Sequence, residues 1–156
     1  MATVAPLLTV RSIERSCAWY RDVLGAAGRG AFPPGPWGWV THGEVDLHGQ
    51  KLMFTPDQAP PGSEGMPWRT RALGQEGPRG AGFVVQVNLD DDADIDAFCA
   101  EVRRKGATVV VPPTDQAWGA RIFLVEDPDG YLVLVHRMNR RRDQASPTTR
   151  AASPSP

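Results

Sequence analysis

The chain has 156 residues, 41% of them hydrophobic, and a net charge of −1, which suits one compact domain or two small modules that share a core. Five arginines and one aspartate in residues 137–156 leave residues 1–136 with a net charge of −5, and an acidic body argues against nucleic-acid binding. No apolar run reaches the roughly 18 residues that span a membrane, residues 1–12 lack the basic start of a signal peptide, and two cysteines fit buried thiols in the cytoplasm.

The first half of the chain predicts one strand, one helix and three further strands. Val4 to Val10 is an apolar, β-branched run, which favours a strand. Ser12 can cap a helix that begins at Ile13 and stops near Val23, before Gly25. The three strands are expected at Ala26–Phe32, Trp37–Leu47 and Lys51–Thr55, with His48 to Gln50 as a tight turn before the last.

The second half repeats this order. Gly82 to Val87 predicts a strand, and the aspartates of residues 90–94 precede a helix from Ile95 to Lys105 that Gly106 ends. Negative charge is favourable at the start of a helix, and this arrangement supports the assignment. The remaining strands are expected at Thr108–Val111, Arg121–Glu126 and Leu132–His136, the last two joined by the turn Asp127-Pro128-Asp129-Gly130.

This repeat predicts an α+β fold of two tandem βαββ modules, each extended by a fourth strand, since such a module buries its helix and sheet faces best against a second one. Module 1 is assigned to residues 1–55 and module 2 to residues 82–138. The Pro- and Gly-rich segment 56–81 is interpreted as an inter-module linker, with partial cover over a pocket as the alternative. Residues 139–156 have the basic, Ser- and Pro-rich composition of a disordered tail.

Polar residues alternate along the third predicted strand, at His42, Glu44, Asp46 and His48. Period-two spacing puts all four on one face, with neighbours about 6.6 Å apart. Three interpretations stay open: a solvated strand face, the lining of a site for a polar or cationic ligand, and a metal site completed by other residues.

Four motifs occur together in a characteristic order over about residues 3–137. They are Pro6 to Val10 (PLLTV), Ser16 to Gly25 (SCAWYRDVLG), Val111 to Arg121 (VPPTDQAWGAR) and Asp127 to Gly130 (DPDG). In this order they resemble the vicinal oxygen chelate superfamily of glyoxalases, extradiol dioxygenases and bleomycin-resistance proteins, and the Trp118-Gly119 pair is most similar to the bleomycin-resistance branch. The resemblance implies a cupped, partly open mixed sheet, a ligand in the cup, and usually a homodimer.

The resemblance also implies where a metal would be bound. The four ligand positions of the superfamily, elsewhere His, Glu or Gln, fall here on Ala5, Met53, Gly82 and Leu134. A divalent cation needs several converging oxygen or imidazole ligands, which these residues do not offer. A shift of one residue brings in no better ligand, so we expect neither a metal nor another cofactor.

The lining of the cup follows from strand alternation. If Ala5, Gly82 and Leu134 face it, six further residues do so as well: Leu7, Thr9, Val84, Gln86, Leu132 and His136. Such a mainly apolar lining is typical of sites for small organic ligands. In related proteins the positions of Trp118 and Arg121 lie at the rim of the cup. A Trp there can stack on a planar ligand, and an Arg can bind a carboxylate or phenolate. Hinge packing for Trp118 and a surface ion pair for Arg121 are the structural alternatives.

These observations favour a metal-free binding protein that sequesters an aromatic or amphipathic, antibiotic-like compound. The ligand-binding candidates are Thr9, Trp39, His42, Glu44, Asp46, Gln86, Trp118, Arg121 and Leu134. The alternative is a lyase, isomerase or dioxygenase on the same scaffold, which would use a recruited divalent metal or the acid-base residues His42, Glu44 and His136. A third interpretation is a module without a ligand that is kept for dimer formation. The expected partners are a small organic ligand and a second copy, with no nucleic acid and no membrane.

Overall fold

A computed structural model describes residues 4–35, 38–58 and 79–139, and these residues form two modules with the same order of elements. Module 1 contains β1 (Leu7–Val10), α1 (Ile13–Leu24), β2 (Ala27–Ala31), β3 (Gly43–Leu47) and β4 (Gln50–Pro56). Module 2 contains β5 (Val84–Asn88), α2 (Ile95–Arg104), β6 (Thr108–Asp115), β7 (Ala120–Glu126) and β8 (Leu132–Met138). The predicted α+β fold of tandem modules is thereby confirmed.

Part of the predicted domain organisation lies outside the described residues. This holds for residues 59–78 of the predicted linker, for residues 140–156 of the predicted tail, and for Trp37 at the predicted start of the third strand. Within the described ranges, no helix is long and apolar enough to cross a membrane.

The two sheets have the same topology, with strand orders β1-β4-β3-β2 and β5-β8-β7-β6. In each sheet the first strand pairs in parallel with the last, so that Leu7 lies opposite Met53 and Gln86 lies opposite Leu134. The remaining pairs are antiparallel. Strands β1 and β5 are therefore edge strands, each with one side free of a strand neighbour among the described residues.

Helix α1 begins and ends where the sequence predicts. The Ser12 hydroxyl accepts a hydrogen bond from the Arg15 backbone N–H at 3.2 Å, and Gly25 closes the helix in the left-handed region at φ 74°, which glycine adopts without strain. Its inner side chains are buried against the first sheet: Ile13, Cys17, Tyr20, Val23 and Leu24. In the second module, Asp94 caps α2 by accepting a hydrogen bond from Ala97 N–H at 2.9 Å.

Two strand boundaries differ from the prediction by four residues or more. Strand β3 starts at Gly43, and residues 38–42 of the predicted strand lie outside it, where the chain bends at Gly38 with a φ of 73°. Strand β6 continues past Val111 through two prolines to Asp115. Prolines are tolerated there because β6 is an edge strand with register shifts against β7, so a missing N–H breaks no central ladder.

The Asp129 side chain ties the two modules together. It is 3% exposed and accepts hydrogen bonds from the Arg11 backbone N–H at 2.9 Å and from the Ser16 hydroxyl at 3.3 Å. The Arg11 and Arg79 guanidiniums lie 3.2 and 3.6 Å from the same carboxylate oxygen. The turn between β7 and β8 therefore holds the end of β1 and the start of α1 in module 1.

Asp127, two residues earlier, adds a second link. Its carboxyl accepts hydrogen bonds from the backbone N–H groups of Asp129 and Tyr131, at 2.8 and 2.9 Å, and from the Tyr20 hydroxyl of α1 at 3.1 Å. The Tyr131 hydroxyl in turn donates to the Thr9 carbonyl of β1 at 3.0 Å. The DPDG motif is thus both a hairpin turn and the contact that orients the modules.

Candidate functional site

Each helix covers one face of its sheet, and no helix of the described residues covers the other face. On β8, fully buried Val133 and Val135 alternate with partly exposed Leu132, Leu134 and His136. Strands β1 and β5 show the same alternation, and on their helix-free faces Leu7 is 49% and Val84 is 44% exposed. The alternation used to predict the cup-facing residues therefore agrees with the burial pattern.

A cleft of about 520 Å³ lies where the two modules meet beside β5, and we call it the β5 cleft. Residues 83–88 form one wall, and residues 4–6 with the end of the β3–β4 hairpin form the other. Most of the lining is apolar, and its polar members are His48, Gln50, Lys51, Gln86 and Asn88. Its size and its few polar groups are those of a small-molecule pocket.

Two amide side chains on β5 point to the same side of the strand. Gln86 Nε2 donates to Asn88 Oδ1 at 2.7 Å, and both residues lie on the exposed, even-numbered face with Val84. This bond uses one donor of Gln86 and one acceptor of Asn88. Each side chain keeps further hydrogen-bonding capacity that a ligand in the cleft can use.

The β3–β4 turn supplies the opposite wall. His48 has φ 52° and Gly49 has φ 86°, so the turn places a non-glycine residue in the left-handed region, which is uncommon outside turns. Asp46 Oδ1 accepts from the Gly49 N–H at 2.7 Å and holds this conformation. Lys51 Nζ pairs with Glu44 Oε2 at 2.9 Å, and this hydrogen bond lowers the pKa of the Glu44 carboxyl.

Among the predicted ligand-binding residues, Gln86 lines the β5 cleft. Thr9, Leu134, Glu44 and Asp46 lie on helix-free sheet faces outside the lining of this cleft. Glu44 and Asp46 are moreover engaged locally, by Lys51 and by the Gly49 N–H. Glu44 and Asp46 therefore do lie on one face of β3, as predicted, but their side chains stabilise the β3–β4 hairpin.

Of the proposed acid-base residues, His42 and Glu44 lie near each other in module 1, but His136 belongs to module 2. His42 lies ahead of β3, with its ring 4.9 Å from that of Phe32, whereas His136 lies on β8 of the other module, opposite Ile122. Trp39 is 43% exposed and lines a separate cavity of about 590 Å³ beside the start of α1. These residues share no site with the β5 cleft.

The two predicted rim residues lie elsewhere as well. Arg121 forms a two-pronged pair with Asp96 of α2, at 2.9 and 2.8 Å, and contacts Asp115 at 3.1 Å. This places it on the helix-bearing side and in the surface ion pair weighed as its alternative, and the hydrogen bond from Arg121 lowers the pKa of Asp96. Trp118 is 65% exposed in the β6–β7 turn and does not line the cleft.

The residues at the superfamily's metal positions do not fit a metal ion. Met53 lies beside Leu7 and Leu134 beside Gln86 in the strand pairing, and Ala5 and Gly82 contribute no ligand atom from a side chain. Throughout residues 4–35, 38–58 and 79–139, no three His, Cys, Asp or Glu side chains are grouped so that they could hold an ion.

The thiols do not supply a nucleophile either. Cys17 and Cys99 are buried on the inner sides of their helices. Burial raises the pKa of the Cys17 thiol to about 11, and burial also raises the pKa of Cys99. Both stay protonated at neutral pH, which suits packing rather than reactivity.

Sequence reasoning missed several residues of the β5 cleft. Asn88 shares the even-numbered face with Gln86 and would have followed from extending the predicted strand by one residue. Lys51 lies two residues from Met53 on β4, so the alternation along that strand would have placed it on the same face as this metal position. Phe83 gives no such signal, because it precedes β5 and its direction depends on how the chain enters the strand.

Comparisons with known proteins agree on one fold. A family model described as Glyoxalase/Bleomycin resistance protein/Dioxygenase superfamily matches residues 2–135. An uncharacterized protein of Mycobacterium bovis is 30% identical over 128 residues, covering 82% of this chain and 78% of that protein.

Among solved structures, TioX from Micromonospora sp. ML1 superposes with a TM-score of 0.61 at 23% identity, over 87% of this chain and 95% of that one. A glyoxalase/bleomycin resistance protein/dioxygenase from Nocardioides gives a TM-score of 0.66 at 22% identity, over 90% and 86% of the two chains. At these identities the structural likeness concerns the fold.

Proposed function

We propose that this chain, which belongs to the Glyoxalase/Bleomycin resistance protein/Dioxygenase superfamily, binds a small organic compound in the β5 cleft without a bound metal. The membership confirms the resemblance seen in the sequence motifs. Fold alone does not decide function within such a superfamily, so the proposal depends on the site.

One observation carries the proposal: the β5 cleft is open, mainly apolar and about 520 Å³ in volume, while the superfamily's metal positions carry Ala5, Met53, Gly82 and Leu134. Affinity in such a site comes from removing apolar ligand surface from water, at about 25 cal/mol per Å². The few polar groups then fix the orientation of the ligand.

The compound is expected to be aromatic or amphipathic. An apolar lining with an amide pair on one wall and Lys51 on the other favours a ligand with an apolar body and a hydrogen-bonding edge. The name of the superfamily includes bleomycin resistance, and sequestration of an antibiotic-like compound is the biological role that we propose. The acidic body of the chain favours cationic members of this class at long range.

A thermal-shift screen over metal ions and planar organic compounds tests this function. A ligand that binds only the folded state raises the melting temperature, by an amount that grows with its concentration over Kd. We expect shifts with organic compounds and none with Zn²⁺, Mn²⁺, Fe²⁺ or Ni²⁺. About one metal ion per purified chain, lost on His42→Ala, would instead favour the enzyme alternative.

We also propose a homodimer in the cytoplasm. Strands β2 and β6 also lie at sheet edges, outside the β5 cleft, and Val110 on β6 is 48% exposed; these are surfaces that a second chain can cover. Two buried, unpaired thiols suit a reducing compartment. Light scattering that reports a monomer at high micromolar concentration would contradict the dimer.

A further inference from the structure

Strand β5 offers its main chain to the cleft. It pairs only with β8 among the described residues, and all six residues from 83 to 88 line the cleft. Successive residues of a strand face opposite ways. Because residues of both faces line the cleft, the cleft runs along the edge of β5 that does not pair with β8.

The register identifies which main-chain groups are free. The Leu89 N–H donates to the His136 carbonyl at 2.8 Å, so the N–H and C=O groups of odd-numbered residues point to β8. Along a strand these groups alternate in direction. The N–H and C=O groups of Val84, Gln86 and Asn88 therefore point into the cleft.

Residues 4–6, which precede β1, form the facing wall. The Met53 N–H donates to the Pro6 carbonyl and the Asp57 N–H donates to the Val10 carbonyl, so the main-chain groups of even-numbered residues from Pro6 to Val10 point to β4. Odd-numbered residues point the other way, as the Thr9 carbonyl shows by accepting from Tyr131. Ala5, which lines the cleft, belongs to this odd-numbered series.

We infer that the ligand of the β5 cleft is peptidic: an extended segment of amide-linked residues that pairs with the free edge of β5. This inference rests on the proposed function and names the class of its ligand. The alternating donors and acceptors of Val84, Gln86 and Asn88 match the main chain of an extended peptide, as in other cases of strand addition. Over five residues β5 spans about 13 Å, which accommodates a peptide of about five residues.

The apolar and polar positions of the cleft define the side chains of the probe. Val85, Val87 and Leu52 form apolar surface, while Gln86, Asn88 and Lys51 are polar. A blocked peptide with alternating residues, acetyl-Thr-Val-Thr-Val-Thr-amide, presents both kinds without net charge. The same peptide N-methylated at every second residue keeps its side chains but loses donors on one edge.

Gln86 provides a matched pair of variants. Gln86→Pro removes an N–H that points into the cleft and fills the edge with the proline ring, whereas Gln86→Ala removes the side chain and keeps the N–H. Proline is tolerated on a free strand edge, because no ladder hydrogen bond is lost. The melting temperature and the amide spectrum of each variant report whether it folds.

Isothermal titration with these peptides tests the inference. We expect the unmethylated peptide to bind, the methylated peptide to bind at least about tenfold more weakly, and Gln86→Pro to weaken binding at least about tenfold, against about threefold or less for Gln86→Ala. The methylated peptide on the unchanged protein decides the question even where Gln86→Pro fails to fold.

Other outcomes separate this inference from the proposed function. Binding of a planar organic compound without binding of either peptide would overturn the peptidic ligand and leave the small-molecule site intact. If neither class binds, both proposals fail. Equal binding of the two peptides, or a dimer that Gln86→Pro converts to monomers, would overturn strand addition by a peptide, since the second result assigns the edge to another copy of the chain.

Discussion

Asp127 shows how a single side chain is used for structure at the junction of the modules. Three donors bind its carboxyl group: two backbone N–H groups of its own turn and the Tyr20 hydroxyl. Burial nevertheless raises the pKa of Asp127 above its ordinary value of 3.8, because desolvation outweighs these hydrogen bonds. The pKa of Tyr20 also lies far above its ordinary value. Burial is the largest cause of this increase, and the negative charge of Asp127 is the second largest.

A carboxyl with a raised pKa makes stability depend on pH. Between the ordinary and the raised pKa, the Asp127 carboxyl binds a proton more tightly in the folded state than in the unfolded state. The stabilisation from this proton is therefore lost as pH rises through that window. Asp127→Asn does not titrate. We therefore expect the free energy of unfolding of the native protein, minus that of Asp127→Asn, to fall in urea titrations as pH rises above the ordinary pKa of 3.8, and to level off once the pH exceeds the raised pKa.

The alanine variant separates hydrogen bonding from titration. Asp127→Ala leaves the two backbone donors and the Tyr20 hydroxyl without their acceptor, and each unpaired buried donor costs about 1–3 kcal/mol. It should be much less stable than Asp127→Asn at every pH. A native-minus-Asn difference that is constant with pH, or that rises, would refute the titration of Asp127.

At the scale of elements, Gly43 decides how closely α1 packs on β3. A Cβ at this position would overlap Ile13 Cγ2 and would come within 2.9 Å of Cys17 Sγ, both of which are buried on the inner side of the helix. The backbone of Gly43 needs no left-handed φ, so the absence of a side chain is its contribution.

Gly43→Ala should therefore destabilise the protein by overpacking, at about 1–3 kcal/mol in denaturant titrations. The control is the same change in an Ile13→Ala background, where the nearest clashing atom is gone. There the cost of Gly43→Ala should be smaller, as a double-mutant cycle would show. Equal costs in both backgrounds would mean that the helix shifts freely and that the packing is not tight.

The sequence predicts elements well where periodicity and caps agree, as at α1 and β8. It fails where tertiary contacts decide direction. Arg121 follows the correct strand pattern but is drawn to Asp96 on α2, a partner 25 residues away in sequence that no local pattern indicates. The β5 cleft could not be predicted from the sequence either, because residues 4–6 and 83–88 meet only through packing of the two modules.

The position of Arg121 leads to its own prediction. Because its guanidinium binds α2 and Asp115 outside the cleft, Arg121→Ala should leave ligand affinity unchanged and lower the melting temperature slightly. The decrease should shrink in high salt, since Asp96 and Asp115 are largely exposed and exposed charges are screened. Loss of ligand affinity in this variant would place the site at the predicted rim after all.

For the whole molecule, the contact between modules depends on Asp129. Its buried carboxylate holds Arg11, Ser16 and Arg79, and removing one partner of such a buried network costs about 3–5 kcal/mol. Asp129→Ala should therefore lower the free energy of unfolding by that amount.

The loss should also uncouple the modules. In the native protein, amide hydrogen exchange in β4 and β8 should report similar free energies of opening, because the modules unfold together. In Asp129→Ala the two values should diverge. Divergence already in the native protein would show that the modules are independent and that the turn is not their link.

The claim that a small organic ligand occupies the β5 cleft is tested most directly by isothermal titration of an organic compound found by thermal shift, against the native protein and Val84→Lys. Val84 lines the cleft and is half-exposed, so a lysine there is compatible with folding but places a charge in the site. We expect binding to the native protein below about 100 μM and at least about tenfold weaker binding to Val84→Lys. Undiminished affinity in Val84→Lys would show that the ligand binds elsewhere and would contradict the proposed site.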